Sequence, residues 1–120
     1  MADRVLFVSW GTPVRGREER GLEVFNEAIG IWGRMQQEGR IESFNVVLLD
    51  PNGDLNGYVQ IEGTAAQLAA VQEDEDFRRS LTDATLVVDD MRIADGWCNE
   101  GIARQLGRYQ DALSRVPQRA

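Results

Sequence analysis

The sequence predicts an α+β domain in the order β-α-β-β-α-β, with an added C-terminal helix. Two observations carry this. Short runs rich in β-branched and aromatic residues alternate with longer stretches of helical periodicity. The turn-dense segment Asp50-Pro51-Asn52-Gly53-Asp54 then joins two of those runs directly, as an antiparallel hairpin does.

The first strand is Val5-Leu6-Phe7-Val8-Ser9-Trp10, apolar on both parities through Val8, as a central strand covered on both faces is. Gly11-Thr12-Pro13 breaks it. A helix is predicted from Arg17 to Glu38, with Leu22, Phe25, Ile29, Trp32 and Met35 on one stripe. Glu18 and Glu19 favour its first turn, and Gly39 ends it in the C′ manner. Gly21, Gly30 and Gly33 each cost about 1 kcal/mol in a helix interior, which a close backbone contact with a sheet or partner would justify. The second strand is Ile41 to Leu49, with Val46-Val47-Leu48-Leu49 expected buried on both parities. Gly57-Tyr58-Val59-Gln60-Ile61-Glu62 alternates as a half-solvated strand does.

Thr64 is the expected N-cap of the next helix, which carries Ala65, Leu68, Ala69 and Val71. Glu73-Asp74-Glu75-Asp76 breaks it and caps a second piece with Phe77, Leu81 and Ala84. Leu86 to Ala94 is the expected fourth strand. Asn99 is the expected cap of a final helix with Ile102, Leu106, Tyr109 and Leu113 on one face, and Pro117 stops it.

The 120 residues have the length of a single domain, 1–120. An apolar fraction of 42% and a charged fraction of 28% are ordinary for a folded protein. The net charge of −7 disfavours nucleic acid and anionic membranes as partners. All thirteen basic residues are arginine, which removes lysine Schiff-base chemistry. There is no histidine, which removes histidine acid–base catalysis, His-ligated zinc and proximal-His haem. Neither a metal nor a cofactor is expected. The single cysteine and the absence of a long apolar run point to the cytoplasm.

Two crossovers around one hairpin fit the split-βαβ, ferredoxin-like arrangement: a four-stranded antiparallel sheet with its helices on one face. The other sheet face then needs a cover. A second protomer across a two-fold axis is the simplest one, so a homodimer is expected.

The chain resembles the dimeric α/β-barrel superfamily, which includes antibiotic-biosynthesis monooxygenase-like, stress-responsive barrel and YCII-related domains. The resemblance lies in the first strand with Trp10-Gly11, the segment Met35 to Glu42, the segment Gly57 to Gly63, and Glu75-Asp76-Phe77-Arg78 before Leu86-Val87-Val88-Asp89. It is one of layout and hydrophobic rhythm. It implies a cleft for an organic ligand between sheet and helices. YCII-like members are associated with a His-Asp pair, and haem-degrading members with His, Asn and Trp. This sequence lacks histidine, so neither chemistry carries over.

Asp50 to Asp54 begins like a calcium loop, but Leu55 and Ile61 stand where glycine and glutamate are required, so a hairpin turn is expected. The loop from Gly11 to Arg17 leads into a helix N-terminus, where Arg15, Arg17 and Arg20 could hold an anion against opposition from Glu18 and Glu19. Asp89 and Asp90, adjacent on a strand, would face opposite ways. Asp90 and Arg92 would share a face near Tyr58 and Gln60, as a structural pair or as the polar lining of a cleft. Trp32 is expected in the core. Trp10 and Trp97 end two strands expected to be neighbours and would flank a cleft mouth or a dimer rim. Cys98 has no activating partner in sequence and is expected to be idle.

Three functions remain open on sequence alone. One is a homodimer holding a small, partly apolar molecule through Trp10, Tyr58, Arg92 and Trp97. Another is a cofactor-independent monooxygenase-like or isomerase-like enzyme in which Asn45, Tyr58, Asp90 or Arg92 orients the substrate. The third is a purely structural or regulatory homodimer.

Overall fold

In the computed structural model, which describes residues 2–119, the chain runs β1 (Arg4–Trp10), α1 (Glu18–Gln37), β2 (Ser43–Leu48), β3 (Gly57–Gly63), α2 (Ala65–Glu73), α3 (Glu75–Thr85), β4 (Arg92–Trp97) and α4 (Glu100–Leu113). The sheet order is β2-β3-β1-β4, and every neighbouring pair is antiparallel. β1 is therefore an interior strand, which accounts for its apolar residues on both parities.

Register divides the sheet into two faces. Leu6 sits opposite Ile61 and Val8 opposite Val59, and Phe44 and Val46 continue those rows on β2. This face carries the core. Ala28, Trp32 and Met35 of α1, Leu68 and Val71 of α2, Phe77 of α3, and Ile41 all pack with it. Each large side chain so buried contributes about 1.5–3 kcal/mol. The other face presents Val5, Phe7 and Ser9 beside Glu62, Gln60 and Tyr58, flanked by Ser43, Asn45 and Val47 on one side and by Arg92, Ala94 and Gly96 on the other. That face is mixed rather than oily: an aromatic centre, Phe7 against Tyr58 with ring centroids 5.2 Å apart, inside a polar frame.

The helix ends follow the sequence closely. Gly39 takes φ +73°, its N–H donates to the Gln36 carbonyl, and the Arg40 N–H donates to the Met35 carbonyl, a Schellman stop. Thr64 Oγ1 accepts from the Gln67 N–H at 3.1 Å, and Gln67 Oε1 accepts from the Thr64 N–H at 2.9 Å, so a capping box starts α2. Asp74 ends α2 and starts α3. Its carboxylate accepts from the Phe77 N–H at 3.1 Å and from Arg40 Nη2 at 2.6 Å.

The Arg40 hydrogen bond, helped by the Phe77 amide, holds the Asp74 carboxyl below its usual range despite partial burial. A carboxyl lowered in the folded state adds stability above its unfolded pKa and loses it as pH falls through the folded value. Asp74→Asn keeps a capping residue but removes the charge. Thermal unfolding at pH 7 should show the variant less stable by about 1 kcal/mol. That gap should close as pH drops below about 4. A gap that persists unchanged at low pH would contradict the ion-pair assignment.

Several elements differ from the expectation. β2 stops at Leu48, and Leu48 and Leu49 are exposed rather than buried, because β2 is an edge strand and its pairing with β3 ends at Leu48–Gly57. The fourth strand starts at Arg92, not Leu86. Val87 and Asp89 lie in the turn after α3 and bond to the loop after β1, with the Val14 N–H donating to the Val87 carbonyl and the Asp89 N–H to the Thr12 carbonyl, and Val88 makes only an isolated bridge to Pro13. Asp90 then turns the chain at φ +54°. The buried stripe of α1 is Val24, Ala28, Trp32 and Met35, while Leu22 is 65% exposed, because it lies off that stripe around the helix. Gly30 and Gly33 face open space, so no close packing within the protomer explains them. Asn99 precedes α4 but does not cap it. Its Nδ2 donates to the Ala2 carbonyl at 2.7 Å and to Glu62 Oε1 at 3.4 Å.

Candidate functional site

A cavity of about 360 Å³ opens between β1, α1, α3 and the loop from Val87 to Met91. Val8 and Trp10 form its floor. Leu22, Val24, Phe25, Ala28 and Trp32 line one wall, and Phe77, Leu81 and Ala84 line the other. Pro13, Val87, Val88 and Met91 close the end. Trp10 meets Phe25 edge-on, with centroids 5.9 Å apart and planes at 64°, the arrangement two quadrupoles prefer. The polar side chains in the lining are Glu18 and Ser80. The volume falls within the range of small-molecule sites, about 300–1,000 Å³. Its chemistry is that of an apolar receptor. It holds no nucleophile–base pair, and Glu18 reaches back to accept the Gly16 N–H at 2.8 Å.

The residues named from sequence fall into separate places. Asn45, Gln60, Tyr58 and Arg92 do come together, on the sheet face away from the cavity, with Arg92 and Tyr58 on either side of Ser9. Asp90 does not join them, because it lies in the turn before β4 and not on a strand. Trp10 and Trp97 belong to neighbouring strands, but the strands are antiparallel. Trp97 pairs with Arg4 at one end of β1, while Trp10 lies at the other end opposite Gly57. They cannot flank one mouth. Trp10 is in the cavity, whereas Trp97 lies under the guanidinium groups of Arg4 and Arg108, at 4.0 and 4.8 Å from its ring centre.

The arginines near the start of α1 are engaged within the chain. Arg17 Nη1 donates to the Leu86 carbonyl at 2.7 Å. Arg20 lies 3.2 Å from Glu27, 3.4 Å from Asp83 and 3.6 Å from Glu23. Arg15 is exposed in the same loop. In the hairpin turn, Asn52 Oδ1 accepts the Asp54 and Leu55 N–H groups, and its Nδ2 donates to the Asp50 and Leu55 carbonyls. Asn52 thus spends its side chain on the loop itself. Among the described residues, no group of three or more acids or thiols is placed to hold a metal ion. Burial, followed by the Glu62 and Glu42 carboxylates, pushes the Cys98 thiol up, which keeps it protonated and a poor nucleophile.

The resemblance implies a cleft between sheet and helices, but of the residues lining this cavity only Trp10 is among those named from sequence as ligand-binding. Phe25, Trp32, Phe77, Leu81 and Ala84 read as ordinary helix stripes, and Val87 and Val88 as a strand. The one trace in sequence is the breadth of the apolar surface at Leu22, Val24, Phe25 and Ala28, wider than a single stripe on a sheet needs.

No protein-family model matches the chain, and no curated protein sequence does. Solved structures do. A dimeric protein of unknown function with a ferredoxin-like fold from Bacteroides fragilis superposes with a TM-score of 0.60 at 12% identity, over 79% of this chain and 96% of that one. A dimeric ferredoxin-like protein of unknown function from Jannaschia sp. superposes with a TM-score of 0.62 at 13% identity, over 78% and 97%. A protein from Bacteroides thetaiotaomicron described as a candidate antibiotic biosynthesis monooxygenase gives 0.60 at 13% identity, over 79% and 88%. No helix among the described residues is long and apolar enough to cross a membrane. With its split-βαβ strand order, its antiparallel sheet and α1 to α3 on one side, this chain has the ferredoxin-like fold of those dimeric proteins.

Proposed function

We propose that this chain is a homodimeric binding protein that holds one small, largely apolar molecule between its sheet and its helices. The observation that carries the reading is the cavity of about 360 Å³, walled by Trp10, Phe25, Trp32 and Phe77. Apolar walls left open to water carry a hydration cost that an apolar ligand removes. The fold neighbours described as dimeric support the homodimer, and the single thiol suits a reducing cytoplasm.

A titration with the neutral probe N-phenyl-1-naphthylamine tests this. Trp10 and Trp32 line the cavity and Trp97 does not. Probe emission should rise and shift to the blue while tryptophan emission is quenched, saturating at one probe per chain with a Kd in the micromolar range. A response that grows without saturating would count against a built site.

A second reading places catalysis on the opposite sheet face, where Asn45, Gln60, Tyr58, Ser9 and Arg92 frame Phe7. Such an enzyme would orient a reactive organic substrate without a cofactor, in keeping with the neighbour described as a candidate monooxygenase. Oxygen uptake with a quinol substrate, lost in Arg92→Ala, would favour it.

A further inference from the structure

The charge around the cavity is of one sign. Among the described residues that line it there is no arginine, and the one ionised side chain is Glu18. Glu18 is exposed in the first turn of α1, so its carboxylate stands at the mouth and not among the walls. Its Oε1 accepts the Gly16 N–H at 2.8 Å, which ties the group down and leaves Oε2 for a ligand. Ser80, on the α3 wall, is half-buried and offers a neutral hydroxyl that cannot balance a charge.

An anionic ligand finds no partner here. The positive end of α1 would attract one, but Glu18 and Glu19 already occupy that first turn. Arg17 and Arg20 lie outside the lining. Arg17 Nη1 is spent on the Leu86 carbonyl at 2.7 Å, and Arg20 on Glu27 and Asp83. A carboxylate or phosphate entering the cavity would give up its hydration and gain no donor in return. An ammonium group meets the reverse: a carboxylate at the mouth, and in Trp10, Phe25 and Trp32 aromatic walls whose π-electrons favour a cation.

We propose that the molecule held in the cavity is a ring-bearing amine in its ammonium form, its rings between the aromatic walls and its charge at Glu18. This rests on the binding reading above and names the class of ligand.

Displacement of N-phenyl-1-naphthylamine tests it, with competitors that share one ring system: naphthylmethylammonium, naphthylmethanol and naphthoate. Salt at about 0.15 M screens the field of the whole chain. The ammonium should bind about tenfold tighter than the alcohol, from one exposed ion pair and one cation–π contact. The carboxylate should bind weaker than the alcohol by roughly tenfold or more. Glu18→Gln keeps an oxygen for the Gly16 N–H but removes the charge, and the ammonium's advantage should shrink by about threefold to fivefold. Glu73→Gln removes the same charge from the exposed end of α2, outside the cavity, and should keep the wild-type ratio. Circular dichroism verifies that both variants fold. Equal displacement by all the competitors, or tightest binding of naphthoate, overturns the ligand class and leaves the binding protein standing. An ammonium advantage that Glu18→Gln leaves intact, or that Glu73→Gln lowers as much, overturns the role of Glu18. A wild-type chain that never saturates with N-phenyl-1-naphthylamine overturns both readings.

Discussion

Phe77→Ala should destabilise the folded chain by about 3–5 kcal/mol. Phe77 is 1% exposed, and it is the residue through which α3 reaches the shared core. Its amide is also the donor that Asp74 caps, so the ring is fixed at the first turn of the helix. Removing it deletes a ring's worth of buried contact and enlarges a cavity that already borders the site, so little collapse can compensate. Against a typical total of about 5–15 kcal/mol this is a large share. The midpoint in thermal unfolding followed by circular dichroism should fall by roughly 10–20 °C. A loss below about 1 kcal/mol would mean that α3 is not anchored as described.

Ala84→Trp should reduce probe affinity by a hundredfold or more while leaving the fold intact. Ala84 lies on the α3 wall of the cavity and is only half-buried. An indole at that position has the open volume to enter, without the strain that enlarging a side chain causes in a filled core. It would occupy the space meant for the ligand and bury itself, so stability should hold or rise slightly. The comparison of denaturant midpoint and probe Kd separates the two effects. Undiminished binding in a folded Ala84→Trp protein would place the probe elsewhere.

Much of the fold could be read from the chain, because its punctuation is local. Gly39 needs a left-handed backbone, Thr64 and Gln67 cap one another, and Asp74 serves two helices at once. These are decided within a few residues, and sequence reasoning reaches them. The alternation of Gly57 to Glu62 likewise becomes a strand whose Val59 and Ile61 are fully buried. What failed was decided at long range. Leu86 to Val88 is apolar like a strand, but its N–H groups close the end of α3 and the Val87 carbonyl and the Val88 bridge go to the loop after β1, partners that nothing local distinguishes from a sheet edge. Trp10 and Trp97 each end a strand, and only the antiparallel pairing of those strands sends them to opposite ends. The stripe on α4 was visible in its spacing. That Arg104 and Arg108 would take the inward side could not be, because Trp97 and Asp3 must first be brought beneath them. The cavity is the extreme case. Its lining is drawn from β1, α1, α3 and the turn after α3, and each of its walls is an ordinary helix face when taken alone.

The candidate site residues show the same division. Strand parity groups Arg92 with Tyr58 and Gln60, and pairing does bring them onto one face, where Asn45 lies opposite Gln60. Asp90 was grouped with them on the premise of a strand that begins two residues later. Arg17 and Arg20 looked available from sequence, but the Leu86 carbonyl and the carboxylates of Glu27 and Asp83 take them.

Amide chemical-shift mapping during titration with N-phenyl-1-naphthylamine tests the central claim most directly, because the cavity and the polar sheet face lie on opposite sides of β1. Perturbations should concentrate at Trp10, Phe25, Phe77, Leu81 and Val88 and leave Tyr58, Gln60 and Arg92 unmoved. Shifts confined to Tyr58, Gln60 and Arg92, with the cavity residues silent, would contradict it.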